Sequence, residues 1–156
     1  MKFSLLAVGT RMPDWVQAGV QEYLRRLPSD FGLQVHEIPL ARRSRNSAPG
    51  AAMAKEAEAI LARTQRTDYL VTLDVQGRRL DTGAFSRRLD GLRQAGRDVV
   101  IVVGGPDGLD PQVLQRADES WSLSDLTLPH PLVRIVVAEQ FYRAWSLLHN
   151  HPYHRE

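Results

Sequence analysis

Strand-like and helix-like segments alternate along this chain, and that alternation narrows its fold more than any other feature. Lys2 to Val8 is a short apolar run, the pattern of a strand buried on both faces. Pro13 opens a helix whose apolar positions are Trp15, Val16, Val20, Tyr23, Leu24 and Leu27. Leu33 to Ile38 is a second strand, and residues 39–50, rich in arginine and broken by proline and glycine, predict a mobile loop. A helix follows over roughly 51–66, then a third strand, Tyr69 to Leu73, closed by the turn Asp74-Val75-Gln76-Gly77. Asp81 or Thr82 caps the next helix, which buries Phe85, Leu89 and Leu92. Asp98 to Val103 is a continuous apolar strand ending in the turn Gly104-Gly105-Pro106-Asp107-Gly108. A short helix from Asp110 or Pro111 to Ala117 and a short strand, Trp121 to Leu123, come next.

This order implies an α/β fold with a mostly parallel sheet and helices on both faces. Ligands of such sheets sit beyond the carboxyl ends of the strands, so the loops after Leu73, Val103 and Leu123 are the places to expect a site. No repeat, low-complexity tract or linker interrupts the pattern, which predicts one domain over 1–156.

A chain of 156 residues can bury a core without covalent staples. With no cysteine, disulfides and thiolate metal sites are excluded, which suits a reducing, cytoplasmic setting. The apolar start is too short for a signal peptide and lacks a cleavage site, and no stretch is long enough to cross a membrane. Net charge is only +2, but arginines cluster at Arg42, Arg43 and Arg45, at Arg78 and Arg79, and at Arg87 and Arg88. Such clusters are either solvated faces or contacts to RNA phosphates.

The last helix, from about Pro131 to Leu148, carries a stripe of Val133, Val137, Phe141, Trp145 and Leu148, widened by Leu132, Ile135 and Val136. A helix apolar around most of its girth is buried on more than one side, and the second surface is expected to be another subunit. Glu139 and Arg143 stand four apart, in the orientation that favours an ion pair.

Two segments have the composition of ligand loops. The run Gly104 to Gly108 lets backbone amides approach a ligand, although it matches neither the dinucleotide fingerprint nor a Walker loop and also reads as a plain turn. Leu123 to Pro131 mixes hydroxyls, leucines and prolines, which suits wrapping an adenosine or merely capping the last helix. The tail from His149 to Glu156 carries side chains that stack on unpaired bases, or frays as termini do. Its histidines, without cysteine or paired carboxylates and broken by Pro152, do not make a metal site. No nucleophilic triad or elbow is visible, so these residues define a site region without a reaction.

Four segments together go further: Leu5-Leu6-Ala7-Val8-Gly9-Thr10, Thr72-Leu73-Asp74 with Gly77, Val102 to Leu109, and Ser122 to Glu156 with its Leu128-Pro129-His130, Glu139 to Ala144 and closing Tyr153-His154-Arg155-Glu156. Over its whole length the chain resembles the ribosomal RNA large-subunit methyltransferase H family, of the SPOUT class, with residues 40–66 the least characteristic. The resemblance implies a deep carboxyl-terminal trefoil knot, an exception to the rule against threading, and a homodimer. It implies S-adenosylmethionine bound in a bent shape and methylation of N3 of a pseudouridine in 23S rRNA of the assembled ribosome. Carried over by position, the cofactor residues are Leu73, Gly104, Leu123, Ser124, Asp125, Leu126, Thr127 and Leu128, with Gly105 and His130 adjacent.

An imide nitrogen must lose its proton when methylated, so a base or an accepting water is expected. His130 or His154 fits that task, Tyr153 could stack on the target base, and Arg143 or Arg155 could hold phosphate or a developing anion. Equally, His130 could only shape its loop and the tail only order a dimer. Two other functions fit parts of the pattern: a non-catalytic RNA- or ribosome-binding module, and a SPOUT enzyme acting on tRNA.

Overall fold

The computed structural model describes residues 1–155, the Pro49 side chain apart; Glu156, the end of the tail motif, lies outside them. Its strands are β1 (Phe3–Val8), β2 (Leu33–Ile38), β3 (Tyr69–Arg79), β4 (Val99–Val103) and β5 (Glu119–Ser122), and its helices α1 (Asp14–Leu24), α2 (Pro49–Ala62), α3 (Thr82–Ala95), α4 (Pro111–Arg116) and α5 (His130–Leu148). Short 3₁₀ turns occupy Ser29–Phe31 and Pro152–Arg155. The strands form one sheet, ordered β2-β1-β4-β3-β5 and parallel throughout, as the α/β reading expects.

Alternation along the strands divides the core. Phe3, Leu5 and Ala7 of β1 and Val99, Ile101 and Val103 of β4 join Phe31, Phe85, Trp121 and Phe141 on one face. Leu6, Val8, Val100 and Val102 join Ile38, Ile60 and Val113 on the other. Because side chains alternate with period two, a strand apolar at every position is covered twice. Phe141 of α5 meets Phe3 edge-on at 5.2 Å and Phe85 at 5.8 Å, which pins α5 across the sheet.

Several boundaries differ from expectation. The helix expected over 51–66 is α2, which starts with Pro49 in its first turn and stops at Ala62. β3 continues past Leu73, but its register to β5 jumps from Leu73 to Arg78, so the expected turn at 74–77 loops out of the ladder. Gly77 is needed there, since a Cβ would stand 2.6 Å from the Trp121 carbonyl carbon. Asp81, rather than Thr82, caps α3, accepting from the Ala84 amide at 2.7 Å. α5 packs on α1 and α3 of the same chain, so part of its apolar girth is covered without a second subunit. Where α1 crosses it, Gly19 leaves room for Ile135.

Candidate functional site

A cleft of about 610 Å³ opens beside the irregularity in the middle of β3 and the carboxyl ends of β4 and β5. Leu73, Asp74 and Val75 line it from the irregularity within β3, and Gly104, Gly105, Pro106, Gly108 and Leu109 from the turn after β4. Ser122 to Ser124, Leu126 to His130 and Val133 close it from β5 and the start of α5. The size suits a small-molecule ligand, and the mix is that of such sites: apolar walls with a few hydroxyls and main-chain polar groups.

Of the expected cofactor residues, Leu73, Gly104, Gly105, Leu123, Ser124, Leu126, Thr127 and Leu128 line the cleft. Asp125 does not. Its carboxylate turns out to Arg79 at 2.8 Å, where both side chains are largely exposed. The loop is shaped locally: Ser122 donates through its hydroxyl to the Ser124 carbonyl at 3.1 Å, and the Leu126 amide donates to the Ser124 hydroxyl at 2.9 Å. That turn leaves Leu126 73% exposed beside an apolar wall, a side chain that a flat ligand would cover. Gly104 lies against the main chain of Gly108, where a Cβ would meet the carbonyl carbon and oxygen at 2.8 Å.

The first turn of α5 brings His130 to the cleft beside a residue that sequence reasoning missed. Arg134, one turn on, is 3% exposed. It donates to the Gly9 carbonyl at 2.7 Å and to Glu37 at 2.6 Å. A Cβ on Gly9 would stand 3.3 Å from the His130 ring and 3.4 Å from the Arg134 guanidinium, so the two flank the end of β1. Burial, and secondarily the Arg134 charge, push the His130 imidazole below its ordinary range. His130 Nδ1 is buried without a hydrogen-bond partner, a polar atom left unsatisfied at the wall of the cleft. The clue to Arg134 was a single cation inside the apolar run Leu132 to Ala138. Leu109 and Val133 also line the cleft and were not singled out for it, while Asp74, Gly108 and Pro129 fall within the loops expected there.

Arg143, Tyr153 and His154 form a separate group. Arg143 pairs with Glu139 at 2.7 Å, with both side chains mostly covered. Tyr153 donates its hydroxyl to the same Glu139 oxygen at 3.0 Å and lies 5.0 Å beneath the Arg143 cation. Burial, followed by hydrogen bonds to Tyr23 and Glu139, raises the Tyr153 phenol well above its usual range. His154 is half-buried, with Nδ1 unpartnered. Arg143 stands thirteen positions beyond His130 along α5, about 20 Å of helix, so this group stands apart from its own chain's cleft.

The arginine clusters also divide. Arg42, Arg45, Arg78 and Arg87 are exposed. Arg88 is taken by Glu119 and the Tyr69 hydroxyl. Arg43 fits neither reading of its cluster, a solvated face or a phosphate contact, because two carboxylates, Glu56 and Asp107, hold its guanidinium.

A family model described as "Predicted SPOUT methyltransferase" matches residues 1–154. A protein of Chromohalobacter salexigens named ribosomal RNA large subunit methyltransferase H is 53% identical over 155 residues, spanning 99% of this chain and 100% of the relative. No helix among the described residues is long and apolar enough to cross a membrane. A parallel sheet with its cleft at the carboxyl ends and a match from end to end lead to one assignment: the chain belongs to the SPOUT methyltransferases, in the ribosomal RNA large-subunit methyltransferase H family.

Proposed function

We propose that this chain, as one SPOUT-type domain over 1–156 with its carboxyl-terminal loops knotted, transfers a methyl group from S-adenosylmethionine to N3 of a pseudouridine in 23S rRNA of the assembled cytoplasmic ribosome. The observation that carries this reading is the cleft built by the irregular stretch of β3 and the loops after β4 and β5. Its residues fit the cofactor. Leu73, Leu123, Leu126 and Leu128 offer apolar cover for an adenine, the 104–108 and 123–128 loops offer main-chain groups to its edge, and the orphaned His130 Nδ1 lies at the same wall.

Bound S-adenosylmethionine supplies a methyl group already activated on sulfur, so the protein's work is alignment and proton removal. His130 is held neutral by burial and by Arg134, and so can accept the N3 proton as the nitrogen attacks. N3 lies on the pairing edge of the base, so the target must be unpaired or displaced from its stack. The tail group is too far along α5 to serve its own cleft, which supports a homodimer in which each tail reaches the other protomer's site. The exposed Trp15 of α1, 61% accessible, and the half-buried Leu132 and Ile135 of α5 offer apolar surface for that contact.

Labelled methyl transfer to intact ribosomes, free subunits and tRNA tests the reading. Label is expected in ribosomes and not in tRNA, and transfer to tRNA alone would exclude it. With His130 as the base, the rate holds level through pH 7 and falls only below the ordinary imidazole range, as the ring protonates. His130→Gln should lose on the order of 100-fold in rate together with that acid limb, while keeping donor affinity. A pH–rate profile of the variant that retains the limb assigns the proton to another group.

Arg42 and Arg45 are exposed and suited to phosphate. Replacing both with glutamine should weaken ribosome binding and flatten the slope of log affinity against log salt by about one per arginine. An unchanged slope in a salt titration removes them from the interface.

A further inference from the structure

The arginine-bearing segment 39–48 has no ladder of its own to hold it, and the side chain at its centre turns inward. Arg43 Nη1 and Nη2 donate to the two oxygens of Glu56, at 3.0 and 3.2 Å, and Nε donates to Asp107 Oδ2 at 2.7 Å. Nη1 also meets the Ala41 carbonyl at 3.0 Å, so each guanidinium nitrogen has a partner. The two carboxylates differ in setting. Glu56, on α2, is 3% exposed and also accepts the Ala41 amide at 3.0 Å, which makes it a fixed anchor. Asp107 is half exposed and sits at the tip of the 104–108 turn that lines the cleft. Leu40 adds an apolar contact, its Cδ1 lying 3.2 Å from where a Gly105 side chain would begin. A planar cation with donors on two edges is the group that can bridge a buried carboxylate to a surface one.

We propose that Arg43 is a positioning residue that clamps the Gly104–Gly108 turn to segment 39–48. The donor-binding wall is then held by the same segment whose Arg42 and Arg45 point to solvent. This rests on the donor reading of the cleft given above. An ion pair exposed on one side contributes little to global stability, so its loss acts on the turn rather than on the fold. Asp107→Ala severs the link to the turn and leaves the buried Arg43–Glu56 pair intact.

Calorimetric titration of the full chain with S-adenosylmethionine tests the clamp. Asp107→Ala should bind about five-fold more weakly than the parent with an unchanged melting temperature, and Asp107→Glu should bind like the parent. Arg43→Gln should be weakened at least as much, and adding Asp107→Ala to it should cost nothing further, since the bridge is already gone. In ribosome methylation, Asp107→Ala should raise the KM for the donor and leave the KM for ribosomes alone, whereas R42Q/R45Q should do the reverse. Equal binding by parent and Asp107→Ala, or losses that multiply in the double variant, overturns the clamp. Failure of the parent itself to bind overturns the donor reading on which it rests.

Discussion

Gly104→Val is expected to abolish methyl transfer and to weaken S-adenosylmethionine binding on the order of 100-fold, equivalent to about 2.7 kcal/mol. At this position a Cβ would stand 2.8 Å from the Gly108 carbonyl carbon and oxygen and 3.1 Å from Leu109 Cγ. Two of those three atoms are main chain and cannot rotate away, so the turn itself must move. Overpacking of this kind costs about 1–3 kcal/mol. Here the displaced segment is the wall of the cleft, so the loss should fall on the ligand more than on the fold. Calorimetry of the variant, beside its thermal melt, separates the two. Donor affinity within a few-fold of the parent would show that the turn does not form the wall of the donor site.

Arg134→Met should cost about 2–3 kcal/mol of stability, lowering the melting temperature by roughly 5–10 °C. The substitution keeps the apolar stem and removes the cation. It strands the Gly9 carbonyl, which accepts from Arg134 at 2.7 Å, in a buried setting. Glu37, 41% exposed, can return to water, which places the cost below that of breaking a fully buried pair. The same change removes a positive charge beside His130, so the acid limb of the rate profile should move to higher pH. A melt within 1 °C of the parent would mean that water replaces the guanidinium at no cost.

The sheet was legible because burial on two faces leaves a plain mark, an apolar run broken only by Ser4 in β1 and unbroken in β4. α5 was legible for a related reason, its apolar girth, although α1 and α3 of the same chain meet part of what was expected to face a partner. The cleft loops could be located by topology and by resemblance, since each follows the expected end of a strand. The roles of Arg43 and Arg134 depend on contacts across the fold, although the lone cation in the apolar run Leu132 to Ala138 marks Arg134 as unusual. Arg43 bridges Glu56 and Asp107, 13 and 64 residues away, and Arg134 reaches Glu37 and Gly9, 97 and 125 away; nothing in the neighbouring sequence distinguishes Arg43 from the exposed Arg42 and Arg45. Asp125 was misleading in the opposite way. It sits within a run of cleft residues, but the Ser122–Ser124 and Ser124–Leu126 hydrogen bonds turn the chain so that its carboxylate faces Arg79. The distance of Tyr153 and His154 from their own cleft followed from the length of α5, which the sequence did contain.

The position of the bound methyl donor is the central claim. Crystals grown with saturating S-adenosylmethionine should show its adenosine between the 104–108 turn and the 123–128 loop, with Leu126 covered and His130 at the open side. Donor density elsewhere on the protein, or an empty cleft at that concentration, would contradict it.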